Sequence, residues 1–187
     1  VYVLADAEAK AVGYEQRSAE AMVAAAAEAG LGADMLIDVD GSGEGSLAGI
    51  TAAAQPFAGD LPGDDGTTSL MFYTSGTTGR PKGVPRSHAA EQYAALACLA
   101  QLHGRHGEIF LGVMPLFHTM GIRALLMSNL LNGRFVCQPT FDAETAAAAI
   151  AREGVSALFL VPTMFHDLVH HPRAAEFDFS SVRNIAY

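Results

Sequence analysis

The sequence predicts an α/β fold of alternating strands and helices, with a largely parallel sheet covered by helices. Two observations carry this. Through the second half of the chain, short β-branched or apolar runs alternate with longer stretches of helical composition. Those helical stretches open on capping residues and stop at glycine or proline, so the alternation is punctuated locally. Half of the 187 residues are hydrophobic, enough for a sizeable core.

Taken in order, residues 10–14 form a short strand candidate. Ser18 offers an N-cap for an alanine-rich helix over 19–29 that stops at Gly30. Residues 35–39 form a buried strand, 41–46 a loop and 47–54 a short helix. Residues 56–67 are rich in Gly, Pro and Asp and make a linker-like stretch. The acidic group Asp60, Asp64 and Asp65 there is best explained as a solvated loop rather than a metal site.

A strand at 70–73 leads into a glycine-rich loop. Ser87 then caps a helix over 88–102, with Tyr93, Leu96, Leu99 and Cys98 assigned to its core face. Residues 108–114 form a strand closed by Pro115, and 121–131 an apolar helix ending near Asn132-Gly133. The strand at 134–138 is stopped by Pro139. Asp142 caps a helix over 143–153, ended by Gly154. A strand at 156–161 precedes a helix over 163–171 with Pro162 at its start, and 182–187 make a last strand.

The bulk numbers exclude several classes. A net charge of −9 argues against a nucleic-acid partner or an anionic membrane surface. Cys98 and Cys137 are the two cysteines and lie far apart, which gives neither a disulfide framework nor a metal spacing and suits a reducing cytoplasmic setting. No apolar run reaches bilayer-spanning length. His166, Asp167, His170 and His171 have helical spacing, but a solvated helix C-terminus explains them better than a metal does.

The most informative stretch is Tyr73-Thr74-Ser75-Gly76-Thr77-Thr78-Gly79-Arg80-Pro81-Lys82-Gly83-Val84. Small residues leave main-chain N–H groups open to an anion. The hydroxyls of Thr74, Ser75, Thr77 and Thr78 add donors, Lys82 adds a mobile charge, and Pro81 stiffens the chain before it. An ordinary turn rarely needs that combination. It is not a Walker loop: proline stands where that motif has glycine before the lysine, and no Ser or Thr follows it.

This stretch resembles the phosphate-loop signature of the adenylate-forming superfamily, which includes acyl-CoA and aryl-CoA synthetases, luciferases and adenylation domains of peptide synthetases. Pro115-Leu116-Phe117-His118-Thr119-Met120-Gly121 is similar to that family's acid-side segment. On the residues alone, Phe117 as core and His118 as partner of a main-chain group is an equal alternative. The resemblance assigns Phe117, His118 and Gly121 to the acid substrate, with Met164, Phe165 and His166 as weaker candidates. It assigns Thr74, Ser75, Gly76, Thr77, Thr78, Gly79 and Lys82 to the nucleotide phosphates, with Lys82 and Thr77 catalytic.

The resemblance implies part of the large N-terminal domain of an acyl-CoA synthetase-like enzyme. Its reaction joins a carboxylic acid to ATP, releases pyrophosphate, and passes the acyl group to coenzyme A. A carrier-protein-directed adenylation enzyme and a non-catalytic nucleotide-binding module are the alternatives. The apolar 117–131 stretch, with Arg123 its one charge, fits an aromatic or hydrophobic acid, and 107–118 is most like aryl-CoA ligases of the benzoate or halobenzoate type. The expectation is a partial AMP-binding domain over residues 1–187 with both ends truncated and the C-terminal domain absent. The adenine-contacting segment, the ligands of Mg²⁺ and the lysine of the small domain would then lie outside it. The isolated chain is accordingly expected to be inactive.

Overall fold

The computed structural model describes residues 1–60, 63–75 and 79–187. The chain divides into two compact units, Val1–Asp64 with Ser69–Pro85, and Asp65–Thr68 with Arg86–Tyr187.

In the first unit, helix α1 (Tyr2–Asp6) is formed by an apolar opening to which the sequence assigned no element. Strand β1 (Val12–Tyr14) is shorter than predicted and pairs in parallel with β2 (Leu36–Asp38), Val12 opposite Leu36. Helix α2 (Ala19–Glu28) lies between them, and Gly30 leaves it at φ +79°, where a side chain would be strained. Ser18 stands at the N-cap position, but its hydroxyl donates to the Glu15 carbonyl at 2.9 Å instead of accepting from the helix. Helix α3 (Leu47–Ala53) is capped by Ser46, whose Oγ accepts from Gly49 N–H at 3.0 Å.

Strand β3 (Thr68–Thr74) pairs with β4 (Lys82–Ser87) as a two-stranded sheet. The sequence did not signal β4. It contains Pro85, which removes a ladder donor and is tolerated because a two-stranded sheet consists of edges.

The second unit holds a four-stranded parallel sheet. Its strands are β5 (Ile109–Gly112), β6 (Arg134–Cys137), β7 (Ala157–Phe159) and β8 (Asn184–Ala186), in spatial order β6-β5-β7-β8. Helices α4 (His88–Leu102), α5 (Thr119–Leu130), α6 (Ala143–Glu153) and α7 (Pro162–Val169) cover it. Alternate residues of the central strands face opposite sides. Phe110, Ala157 and Phe159 pack with Ala95, Leu99, Ala124 and Met127 of α4 and α5. Leu111, Leu158 and Leu160 pack with Ala146, Ile150 and Leu168 of α6 and α7.

Local chemistry sets the helix ends. Ser87 Oγ accepts from Ala90 N–H at 3.2 Å and Asp142 Oδ1 from Thr145 N–H at 2.8 Å. Gly154 closes α6 at φ +66°, and Pro162 opens α7 where its missing N–H costs nothing.

One face differs from the sequence reading. On α4, Tyr93 and Leu96 are 71% and 44% exposed, while Glu91, Ala95 and Leu99 are buried and Cys98 and Leu102 pack beside them. The buried stripe follows the 3.6-residue period but starts on an acidic residue. A count of apolar positions passes over Glu91 and rotates the predicted face.

Candidate functional site

The glycine-rich loop joins β3 to β4 in the first unit. Thr74 and Ser75 leave β3 exposed, and Gly79 adopts φ +83° with open space where a Cβ would stand. Pro81 is half-buried, and Lys82 opens β4 with its side chain exposed. Gly76, Thr77 and Thr78 lie outside the described residues.

The base of the loop is tethered to α1. Tyr73 donates its hydroxyl to Asp6 Oδ2 at 2.8 Å, and Tyr2 donates to Asp6 Oδ1 at 3.3 Å. Partial desolvation, then the hydrogen bond and charge of Asp6, push the Tyr73 phenol up to about 12, so it remains a donor. Gly83 permits this close approach: a Cβ there would meet Met71 Sδ at 3.0 Å, with Asp6 Oδ2 and the Tyr73 ring carbon each at 3.3 Å. No spacing in the sequence links Asp6 to the loop, so its role emerges only from the fold.

Phe117, His118 and Gly121, the residues expected to border the acid, lie in the second unit, after the carboxyl end of β5. Phe117 is 77% exposed and therefore not core. His118 occupies the N-cap position of α5: its N–H donates to the Pro115 carbonyl at 3.0 Å and its own carbonyl accepts from Ile122 at 3.2 Å. Its ring centroid is 6.5 Å from that of Phe117, and among the described residues the ring makes no hydrogen bond. Gly121 is buried, and a Cβ there would stand 2.2 Å from the Pro115 carbonyl oxygen. Its smallness lets the first turn of α5 close onto the end of the strand.

Strand order gives this loop its place. From β5 the chain passes through α5 to β6 on one side, whereas β7 passes through α7 to β8 on the other. Since β5 and β7 are neighbours, their carboxyl ends flank the point where the order reverses, the favoured ligand position of an open α/β sheet. The Pro115–His118 loop and the start of α7 thus both follow the carboxyl ends of these neighbouring strands.

On α7, Met164 and Phe165 are half-buried. Phe165 meets Tyr187 edge-on with centroids 6.5 Å apart, and with Leu158, Leu168, Val182 and Ile185 it lines an apolar hollow of about 450 Å³. His166 is stacked on His170 with centroids 4.2 Å apart, and its Nδ1 lies 3.4 Å from Asp167. Among the described residues no three His, Cys, Asp or Glu side chains converge as a metal site.

The sequence profile of the AMP-binding enzyme family matches residues 1–187. The chain belongs to this family. A feruloyl-CoA synthase from Amycolatopsis sp is 33% identical over 139 residues, 74% of the chain and 28% of that protein. The long-chain-fatty-acid–CoA ligase FadD13 of Mycobacterium tuberculosis is 31% identical over 179 residues, 95% of the chain and 35% of that protein. The inhibitor-bound crystal structure of the N-terminal domain of FACL13 from Mycobacterium tuberculosis superposes with a TM-score of 0.79 at 29% identity, covering 97% of this chain and 45% of that one. The α/β fold is therefore that of part of an N-terminal domain of an acyl-CoA synthetase-like enzyme. The AMP-binding chain spans about 28% of the length of the feruloyl-CoA synthase.

Proposed function

We propose that this chain is a partial N-terminal AMP-binding domain of a ligase that activates a carboxylic acid with ATP and transfers the acyl group to coenzyme A. The observation that carries the reading is the Thr74–Lys82 motif, exposed at Thr74, Ser75, Gly79, Arg80 and Lys82, in a chain that the AMP-binding profile matches throughout. Thr74, Ser75, Gly76, Thr77, Thr78 and Gly79 would hold the β- and γ-phosphates through hydroxyl and main-chain donors. The acid's carboxylate oxygen attacks the α-phosphorus, the bond to the bridging oxygen breaks, and pyrophosphate departs with the extra charge. Lys82, with Thr77, offsets that charge as it develops. Phe117, His118 and Gly121 border the acid.

Coenzyme A as acceptor is supported by the names of both relatives, and an aromatic or hydrophobic acid by their feruloyl and long-chain acyl substrates. Mg²⁺ would be held by residues other than those described. The free thiols Cys98 and Cys137 agree with a cytoplasmic setting, and no described helix is long and apolar enough to cross a membrane.

The test is Lys82→Ala in the full-length protein that carries this chain, assayed by ATP–pyrophosphate exchange with a panel of benzoates and straight-chain fatty acids. Exchange falls by about two to three orders of magnitude if a charge-stabilising donor is lost. Unchanged exchange would remove Lys82 from the site, and wild-type protein inert with every acid would remove the ligase reading.

A further inference from the structure

The second unit contains a charged cluster that the proposed reaction does not use. Glu91, in α4, is 4% exposed, and Arg123, in α5, is 6% exposed. Arg123 Nη1 donates to the Glu91 main-chain carbonyl at 2.9 Å, and its Nη2 lies 3.6 Å from Glu91 Oε2. Arg86 Nε lies 2.8 Å from Oε1. Both carboxylate oxygens are sealed from solvent, and neither accepts a well-aligned hydrogen bond among the described residues.

Such a trio adds little net stability, because desolvating three charges offsets most of their attraction. It does penalise separation of Glu91 from Arg123, since either one left behind is a buried, uncompensated charge. The members sit where separation matters. Arg86 is the penultimate residue of β4, Glu91 lies in the first turn of α4, and Arg123 lies in the second turn of α5, just past the one that His118 caps. The main-chain bond from Arg123 to Glu91 adds direction that charge alone lacks.

We propose that Glu91 and Arg123 are positioning residues. They hold the start of α5 in fixed register on α4, and with it the Phe117–His118 segment beyond the carboxyl end of β5. The proposal rests on the reading of His118 as an acid-side residue. It also gives the single charge of the 117–131 stretch a role within the protein instead of on the substrate.

The test uses the full-length protein with Glu91→Gln, Arg123→Lys and the double variant Glu91→Gln/Arg123→Met. Hydrogen–deuterium exchange is followed by peptide, and kinetics are measured with ATP and with the acid found active in the panel above varied separately. In Glu91→Gln, exchange over residues 115–123 should rise about tenfold while the core strands 109–112 and 157–159 keep their protection. The kcat/KM for the acid should fall about tenfold to a hundredfold, with the KM for ATP within about twofold of wild type. Arg123→Lys keeps the charge but not the forked donor, so it should fold and show the same pattern more weakly. The double variant, with both buried charges gone, should be no worse than the worse single one. A uniform loss of protection across the second unit, or an unchanged acid KM and kcat in stable variants, would overturn the proposal. Should the wild-type protein activate none of the acids, the ligase reading fails, and the exchange measurement alone decides the positioning claim.

Discussion

Replacing Gly121 by alanine sets two effects of opposite sign against each other. Inside a helix, alanine is favoured over glycine by about 1 kcal/mol. Gly121 carries no left-handed φ, so alanine meets no backbone strain there. Its Cβ, however, would stand 2.2 Å from the Pro115 carbonyl oxygen, 2.5 Å from that of Met114 and 2.6 Å from the Pro115 carbonyl carbon. All three are main-chain atoms, so no rotamer change relieves the contact. The first turn of α5 must lift from the strand end by about 1 Å, and overpacking of this kind costs about 1–3 kcal/mol, toward the top of that range when neither side can yield. The net expectation is a loss of about 1–2 kcal/mol, or a fall in melting temperature of roughly 2–8 °C for a chain of this size. The same displacement moves His118, and misplacement by about 1 Å costs up to about a hundredfold in rate where a group borders the reacting substrate. Thermal unfolding by circular dichroism and pyrophosphate exchange on the same preparation measure the two effects. A variant as stable and as active as wild type would refute the close-approach argument and leave the helix preference for alanine as the larger effect.

Two further predictions concern pH. The Tyr73 phenol is raised to about 12 from 10.0, so its folded form retains a proton that the unfolded form releases. Its contribution is full below pH 10 and is lost as pH rises through 12, so wild type should lose stability relative to Tyr73→Phe across that window, measured by alkaline melting curves and tyrosinate absorbance. Asp142 is held below its ordinary 3.8 by hydrogen bonds from the Thr145 hydroxyl and then the Thr145 N–H. Its contribution is present above that value and lost as pH falls through the lower folded one. Acid melting curves of wild type and Asp142→Asn should therefore differ at neutral pH and converge on acidification.

Much of the architecture was legible because it is written in local chemistry. Asp142, Gly154, Pro162 and Ser87 mark helix ends through interactions within one turn, and the sequence places them correctly. The Thr74–Lys82 motif is readable as a motif for a similar reason, since its small residues, hydroxyls and lysine form one contiguous run, and its phosphate-binding role is the proposal made above. Strand β4 was not legible, because Pro85 and the charges at Lys82 and Arg86 contradict a strand composition that edge pairing tolerates.

An alternating α/β scaffold is thus specified by sequence alone, because capping and turn formation depend on near neighbours. Which distant residues meet is settled by the packed fold. The order β6-β5-β7-β8 sets the loops after β5 and β7 at the ends of neighbouring strands, Asp6 is hydrogen-bonded to Tyr73, and Glu91 is buried against Arg123. None of these pairings has a periodic or compositional signature. Each exists because packing brings together residues far apart in the chain, whose charges and hydrogen bonds must then be satisfied where they meet.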